Sequence, residues 1–559
     1  MAYAPQAGHN DFFGHPRGLS TLFFTELWER FSYYGMRALL VLFMTAEAVG
    51  NNPGLGYSVG EAAAIYGIYT FFVYVLSLPG GWVADNIWGQ KKAVFVGGCI
   101  IAAGHFSMAI PTTTFFFIGL ALIVVGTGLL KPNVSSIVGD IYPEGGARRD
   151  AGFSIFYMGI NFGAILGPLL CGLLGEGYNW HYGFSLAGIG MVFGLISYKI
   201  GDKYLEGAGD LNTGEPESVI KSRGRKFYTV SSVLAAIIVL FGFLVSTGTV
   251  DVALESLAQN LGIVAVIITL GFFVYIIGFG GHNSEEKKRL WVIFWLFILA
   301  ALFWSGFEQA GSSLNLFAAD LTNRAAGPSN FFSGFGTIIM TLVLAVPIGY
   351  YNYKAVNRDD LWSVAKIAMV LSSIGLLVFF YWIFTKIGEG WIIPASTLQL
   401  INPTFIVIFA PIFGIMWTWL ASRNQNPSIP VKFGLGLLGL AAGFFVLAWG
   451  SANASADNLV SPAWLIVTYF LHTAGELCLS PVGLSSMTKL APKNRVSQMM
   501  GIWFVATALG NLMAGLVAGQ LETMAPSGLF QTVAIIIGGG GIVALLAAPP
   551  VKKLMGDVE

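Results

Sequence analysis

Apolar segments as long as a membrane is thick recur along the whole chain. A helix needs roughly 20 apolar residues to cross the hydrocarbon core of a bilayer, and we count about sixteen such segments. They lie at 20–46, 62–84, 93–111, 114–139, 152–174, 183–202, 228–247, 261–279, 290–318, 331–350, 362–384, 400–421, 432–450, 463–488, 497–519 and 530–549. Helices satisfy their own backbone hydrogen bonds in lipid, so this pattern predicts an all-α integral membrane protein.

The composition supports this fold class and excludes several partners. Charged residues make up 10% of the 559-residue chain and hydrophobic residues 55%, whereas soluble domains carry about 25% charged residues. Lys+Arg and Asp+Glu both number 29, so no nucleic-acid partner is indicated and the lipid bilayer is the predicted surroundings. Cys99, Cys171 and Cys478 lie in apolar runs and form neither a disulfide framework nor a metal cluster.

Basic residues fall in every second connection between the predicted spans. Lys91 and Lys92, Arg148 and Arg149, and Lys552 are examples, while Arg324 and Lys386 are exceptions in the alternate connections. Lys and Arg are retained on the cytoplasmic side of short loops. The first eighteen residues show no cleavable signal. The pattern therefore predicts a multi-pass protein with an even number of helices and both termini in the cytoplasm.

A long polar connection divides the chain after six predicted helices. It covers residues 203–226. Two spans without buried charge follow it, and two more interrupt the later helices, so removal of these four leaves six plus six, a common transporter plan. We therefore predict a six-helix bundle at 1–202, a cytoplasmic linker with two extra helices at 203–289, and a second six-helix bundle at 290–559. The second bundle contains two inserted helices near 331–384.

Seven charged residues are predicted to lie deep inside the membrane, away from the ends of the spans: Glu26, Glu29, Arg30, Arg37, Lys131, Glu308 and Glu476. A charge at the centre of a bilayer costs about 2.5 to 3.5 kcal/mol on insertion scales, so each needs a partner or a water-filled cavity. On the first helix these charges and Tyr33 or Tyr34 recur at spacings of three and four, which predicts one polar stripe facing the protein interior. A structural ladder of ion pairs is one interpretation. Mixed charges on several helices favour a functional cluster.

Other polar positions extend this pattern to further helices. Lys131 precedes Pro132 in a predicted kink, and either snorkels to an interface or lines a cavity, as the following polar residues favour. Trp304, Glu308, Ser312 and Asn315 are expected to share one face of a single helix over 290–318. Glu476 and Ser480 lie four apart. Trp503 is interpreted as core packing or as a pocket wall.

The first-helix segment Glu26–Gly35 resembles the ExxERFxYYG signature of the proton-dependent oligopeptide transporter family of the major facilitator superfamily. Further similar segments are Gly81–Asp85 with Gly89, GTGLLKPNVSS through Lys131, FSIFYMGINFG through Asn161, Phe303–Gln309, Leu400–Pro403, Gly475–Leu484 and Ser497–Phe504. They are distributed over nearly the full chain, apart from the four spans without buried charge. The resemblance implies the superfamily fold, with two six-helix bundles plus extra helices.

The resemblance also implies roles for individual residues. The proton-linked cluster would comprise Glu26, Glu29, Arg30 and Lys131, with Glu308 pairing with Arg37 when the outer side closes. The peptide carboxylate would lie at Arg37 and Lys131, and the amino group at Asn161, Asn402 and Glu476. The side-chain pockets would be lined by Tyr33, Tyr34, Tyr74, Trp304, Ser480 and Trp503. No cofactor or metal is expected beyond the coupling proton.

Two positions depart from the family pattern. Gly67 stands where animal relatives carry a coupling histidine, so the carboxylates would have to couple the proton. Asn86 stands where the superfamily loop often has arginine. The pair of spans within 331–384 is also not part of the pattern. The lack of a large extracellular insert near 451–461 favours a bacterial member over an animal one, located in the plasma (inner) membrane.

Three other functions fit the sequence less well than peptide import does. A membrane-embedded enzyme lacks support, because the sequence has no HExxH motif, nucleophile elbow or GxxxxGK loop. A channel would be expected as a symmetric assembly, whereas these charges are dispersed over one long chain. A transporter of nitrate or another small anion shares the fold, but Glu476 and the ExxER cluster favour peptides. The predicted function is proton-coupled import of di- and tripeptides.

Overall fold

The computed structural model describes residues 12, 14–143, 146–246, 249–325, 391–492 and 495–556, with a few isolated positions within 326–390. Its first helices are α1 (Gly18–Thr45), α2 (Val59–Val75), α3 (Ser77–Val83), α4 (Gln90–Met108), α5 (Thr113–Asp140), α6 (Gly146–Gly175), α7 (Trp180–Gly201), α8 (Glu217–Ser246) and α9 (Leu254–Phe279). The later helices are α10 (Ser284–Phe307), α11 (Ser313–Asp320), α12 (Ile401–Ser422), α13 (Ile429–Gly450), α14 (Ala463–Leu490), α15 (Val496–Gly519) and α16 (Pro526–Met555).

Twelve helical segments of the described residues are long and apolar enough to cross a membrane. The prediction of a multi-pass, all-α protein is therefore confirmed. Helices α1 and α4 also coincide with predicted spans, but α1 carries the charged stripe and α4 begins with Lys91 and Lys92. The predicted spans 331–350 and 362–384 lie outside the described residues. The count of sixteen spans is consequently not confirmed.

The predicted single helix over 290–318 is wrong, because the chain breaks in its middle. Helix α10 ends at Phe307, a short 3₁₀ turn covers Glu308–Gly311, and Ser312 leaves helical geometry with φ −127° and ψ −96°. Gly311 and the two following serines are weak helix formers, so the break is cheap at this point. It separates Trp304 and Asn315, which therefore do not share one continuous helical face. Glu308 lies at the break itself.

The predicted polar connection at 203–226 is shorter than expected. Helix α8 already begins at Glu217, so the charged residues 217–226 form its first turns. Sequence hydropathy marks only the apolar part of such a helix, and its amphipathic start reads as a loop. The division into domains at 202 and 289 stays a prediction.

The chain forms two compact units, which are Met1–Leu321 together with Ala395–Glu559, and Thr322–Pro394. In the smaller unit an antiparallel bridge joins Ala325 to Ile392, and the Arg324 guanidinium donates a hydrogen bond of 2.7 Å to the Ile393 carbonyl. All the site residues predicted from the sequence lie in the larger unit.

Helices α2 and α15 approach each other through glycines. A Cβ atom on Gly515 would lie 2.5 Å from the Ala63 carbonyl oxygen and 2.8 Å from the Gly67 Cα atom. Lipid supplies no hydrophobic force between helices, so small residues that allow close backbone contact stabilise their association. This contact explains structurally why position 67 is a glycine. The Cβ atom of a larger residue there would lie 3.1 Å from the Leu512 carbonyl oxygen.

Substitution of Gly515 tests this close contact. Gly515→Ala should destabilise the protein by about 1–3 kcal/mol, the usual cost of overpacking, because backbone atoms rather than flexible side chains oppose the new methyl group. The apparent melting temperature of the purified protein in detergent measures the effect. Gly271→Ala in α9 is the matched control, since its Cβ would meet nothing within 4 Å. Equal melting temperatures for the two variants would show that the close contact at Gly515 does not contribute to stability.

Candidate functional site

The polar stripe of α1 begins with one cation between two carboxylates. The Arg30 Nε atom lies 2.7 Å from Glu26 Oε1 and 3.0 Å from Glu29 Oε2. Glu26 is 1% exposed and Glu29 is fully buried. Among the described residues, none donates a hydrogen bond to either oxygen of Glu29 or to the second oxygen of Glu26. Three of the four carboxylate oxygens in the cluster thus have no hydrogen-bond donor among the described residues.

Lys131 lies on α5 immediately before the proline at 132. Its ammonium is 4.0 Å from the centroid of the Tyr74 ring on α2, a cation–π contact. It also interacts electrostatically with Glu29 and Glu308, yet no carboxylate oxygen of the described residues lies within 4.0 Å of its Nζ atom. The side chain therefore points towards α2 and the α1 cluster while keeping its charge unpaired.

A buried ion pair joins α1 to the break after α10. One guanidinium nitrogen of Arg37 lies 2.5 Å from Glu308 Oε2, and Arg37 Nε donates a hydrogen bond of 2.6 Å to the Tyr66 hydroxyl. Arg37 is 6% exposed and Glu308 is 4% exposed. The Asn315 amide adds a hydrogen bond of 2.8 Å to the Ala38 carbonyl. The 3₁₀ turn and α11 are thus each held against α1 by one polar contact.

Further contacts join the 1–202 and 290–559 parts at the same end of the helices. The Glu176 carboxylate, just after α6, accepts hydrogen bonds from the backbone of Ala395 (2.9 Å) and Ser396 (2.8 Å). The Glu522 carboxylate, just after α15, accepts one of 2.8 Å from the Gly60 backbone. The distribution of basic loops predicts this end to be external. The structure therefore holds its predicted outer end closed.

An anionic pole lies on helices α12 and α14. The Asn402 amide donates hydrogen bonds to Glu476 Oε2 (3.2 Å) and to the Thr473 hydroxyl (2.9 Å). Glu476 is 8% exposed. Asn161 on α6 is buried, and its amide donates to the Tyr157 carbonyl at 2.9 Å. The structure therefore brings Asn402 and Glu476 into direct contact, whereas the described hydrogen bond of Asn161 stays within its own helix.

The aromatic residues predicted to line pockets have different surroundings. Tyr33 and Tyr34 form an edge-to-face pair with ring centroids 5.2 Å apart. The Trp304 indole N–H is buried and has no hydrogen-bond partner among the described residues. Trp503 is 5% exposed and packs against Gly483 and Phe433, as core residues do. Ser480 is half-buried on α14.

Several site residues escaped the sequence prediction. Tyr66 bonds to Arg37, and the buried Tyr69 hydroxyl has no hydrogen-bond partner among the described residues. Tyr157 interacts electrostatically with Glu476 and Tyr34. The recurrence of tyrosines at 66, 69 and 74 on one apolar helix was an available signal. Thr473 gave none, because a threonine in a membrane helix commonly bonds its own backbone.

Comparison with known proteins places the chain among peptide transporters. The sequence profile of the POT family matches residues 91–380 and 376–535. The chain is 37% identical to the peptide transporter YePEPT of Yersinia enterocolitica, covering 99% of this chain and 98% of that protein. It is 34% identical to a di-/tripeptide transporter of Lactococcus lactis, covering 98% of each chain. These relatives are transporters rather than enzymes, as predicted.

A solved structure gives the same relationship. It is a crystal structure of a glutamate-to-glutamine variant of a peptide transporter POT in complex with alafosfalin. The two chains share 36% identity over 99% of this chain and 98% of the other, with a TM-score of 0.77. No group of three or more His, Cys, Asp and Glu in the described part of the chain is placed to hold a metal ion.

The Arg37–Glu308 pair can be tested through stability. Removing one partner of a buried ion pair costs roughly 3–5 kcal/mol, whereas replacing both partners by apolar residues is often neutral. Arg37→Met should therefore lower the melting temperature, and the double variant Arg37→Met/Glu308→Met should regain most of the loss. Lys288→Met in the exposed pair with Glu285, 2.7 Å apart, is the control and should change little. A double variant no more stable than Arg37→Met would show that Glu308 does not depend on Arg37.

Proposed function

This chain belongs to the POT family, and from that premise we propose that it imports di- and tripeptides together with protons by alternating access. The proposal locates it in a bacterial inner membrane with both termini in the cytoplasm. The observation that carries it is the pair of opposite poles within one compact unit. Arg37 and Lys131 supply the cationic pole, and Glu476 with Asn402 supplies the anionic pole.

These two poles suit a peptide better than a simple anion. A peptide with free termini is a zwitterion, so it needs a cation for its carboxylate and an anion for its amine. Lys131 has no carboxylate of the described residues within 4.0 Å, which leaves its charge available to a ligand. Glu476 has one amide donor at 3.2 Å and is buried on the opposite part of the chain. Backbone recognition at both ends allows many side chains between them.

Proton coupling is proposed for the α1 cluster. With all four groups charged, Glu26, Glu29, Arg30 and Lys131 carry no net charge. If Lys131 turns towards a peptide carboxylate, Glu29 keeps only the cation that it shares with Glu26. A proton on Glu29 would then remove a buried negative charge that no described residue stabilises by a hydrogen bond. The same proton would leave again when Lys131 returns.

The driving force is sufficient for accumulation. A membrane potential of 100 mV acting on one charge is worth about 2.3 kcal/mol, and about 1.4 kcal/mol corresponds to a tenfold concentration ratio. The cation–π contact of Lys131 with Tyr74 is worth about 0.5 to 2 kcal/mol, a comparable free energy, so modest movements of this side chain can link substrate and proton.

Closure of the outer side is assigned to the Arg37–Glu308 pair. The pair joins α1 to the break after α10, so it can form only when these helices approach each other. Arg37 would exchange this carboxylate for that of the peptide when the outer side opens. One cation then serves both the gate and the substrate, which ties closure to the release of the peptide carboxylate.

Substitution of Glu476 tests the amino-group pole. Glu476→Gln should weaken binding of dialanine by about tenfold or more, since a charge-assisted hydrogen bond is roughly twice as strong as a neutral one. N-acetyl-dialanine, which lacks the ammonium, should bind both proteins equally weakly. Competition against a labelled dipeptide measures both affinities. Normal dialanine affinity in the variant would assign Glu476 a structural role only.

Substitution of Glu29 tests proton coupling. Glu29→Gln should abolish accumulation of dialanine driven by a proton gradient while preserving exchange of dialanine across the membrane, because exchange needs the gate but no net proton release. Both are measured in proteoliposomes. Glu285→Gln, on the exposed start of α10, is the control and should leave both unchanged. Concentrative, pH-driven uptake by Glu29→Gln would end this model of coupling.

A further inference from the structure

Helix α8 has few protein contacts for its length. It is 30 residues long, and only 6% of its most apolar stretch is buried inside the protein. Its main contact with another helical element is the π-helical turn Ala84–Trp88, which connects α3 to α4. A membrane helix whose lateral surface is nearly all exposed gains little from packing. Its one concentrated contact therefore requires an explanation.

Polar and aromatic side chains build this contact. One nitrogen of the Arg223 guanidinium donates a hydrogen bond of 3.1 Å to the Asn86 Oδ1 atom. The same guanidinium lies 2.8 and 3.0 Å from the two oxygens of Glu215, which fixes its plane. The Trp88 indole N–H donates a hydrogen bond of 2.7 Å to the Tyr228 hydroxyl. The interaction is thus directional as well as apolar.

The turn is held from its other side too. The Asn86 amide donates to the Trp82 carbonyl at 2.9 Å, so Asn86 connects Arg223 to the end of α3. Beyond the turn, the Lys91 backbone N–H donates to the Gly209 carbonyl at 3.1 Å, and the Lys91 ammonium lies 3.1 Å from Asp210. Gly89 has φ +77°, which favours glycine, and ends the turn. π-helical turns are rare and are frequently found at functional sites.

The position of this turn matters for the inner end of the transporter. Helix α3, which leads into it, carries Leu78, whose side chain would lie 2.9 Å from a Cβ on Gly501 of α15. Here the 1–202 and 290–559 parts meet at the end opposite the Arg37–Glu308 pair. Helix α9, the partner of α8 along the chain, contacts α2 and α15 directly. The two extra helices α8 and α9 therefore contact the turn on one side and helices α2 and α15 on the other.

We propose that Arg223 is a positioning residue for transport. Through Asn86 it fixes the turn 84–89 and thereby sets how far α3 moves against α15 when the inner end opens and closes. This role rests on the alternating access proposed above. The contact is a single charge-assisted hydrogen bond to a neutral amide, so it can break and form again in each cycle. This role would give the extra helices α8 and α9 a function beyond lateral packing.

Two measurements on the full-length protein test the proposal separately. Hydrogen exchange followed by mass spectrometry reports the mobility of the 84–92 backbone, independently of any transport activity. Initial rates of dialanine uptake in proteoliposomes report Vmax and KM. The variants are Arg223→Ala, Asn86→Ala, their double variant and Arg223→Lys. The matched control is Arg225→Ala, because Arg225 is an exposed arginine on the same helix for which the described residues provide no hydrogen bond or ion pair.

The expected results distinguish positioning from packing. Arg223→Ala and Asn86→Ala should each speed exchange of the 84–92 amides at least threefold and lower Vmax about three- to tenfold, with KM changed less than twofold. The double variant should be no worse than either single variant, and Arg223→Lys should be intermediate. Exchange at 84–92 that is unchanged, or changed equally by Arg225→Ala, would overturn the proposal. Additive losses in the double variant would also overturn it.

If the protein proves inactive in every assay, the exchange experiment still decides the matter. Faster exchange confined to 84–92 in Arg223→Ala would support the contact while the failure of uptake in the unmodified protein would count against the proposed function. Loss of folding in Arg223→Ala would show as exchange throughout the chain, and Arg223→Lys then provides the comparison.

Discussion

The cost of burying charge in a membrane governs the arrangement of this protein. Helix α1 carries two carboxylates and two guanidinium groups, all nearly inaccessible, and each must be neutralised within the protein. Arg30 shares its single charge between Glu26 and Glu29 on the same helix, which leaves one negative charge for Lys131 to balance, whereas Arg37 obtains its partner from the break after α10. That second pairing joins sequence positions 271 residues apart. The relative placement of the 1–202 and 290–559 parts at their outer end therefore depends on it.

The same requirement is the physical basis of the proposed alternating access. An ion pair between two parts of the chain is stable only when they are close, and either partner can be satisfied by a ligand of matching charge. Lys131 shows this most plainly, because it rests on the Tyr74 ring without a close carboxylate among the described residues. Glu476 bound to one amide is the corresponding acceptor. Lys131 and Glu476 can therefore exchange their present partners for a ligand. In a fixed structural ladder of ion pairs, each charge would already be occupied by an opposite charge.

Much of this architecture could be predicted from the sequence. Long apolar runs indicate the membrane helices, and a charged residue within such a run is easily recognised. The structure brings Asn402 into contact with Glu476 and Arg37 into contact with Glu308, while the roles that the family resemblance implies for them stay predictions. The break at Glu308 was missed because apolar residues on both sides of it make one long span. The weak helix formers at 311–313 permit the break, and Glu308 contacts Arg37 of α1 at that point. The early start of α8 was missed for the opposite reason, because its amphipathic first turns are polar.

In the proposed function, a proton gradient drives the accumulation of peptides through this protein. Its most direct test is uptake of labelled dialanine into proteoliposomes that contain the purified protein, with and without an inward proton gradient. We expect concentrative uptake only in the presence of the gradient, and we expect this uptake to stop when a protonophore is added. Uptake that reaches the same level without a gradient, or transport of nitrate in place of dialanine, would contradict it.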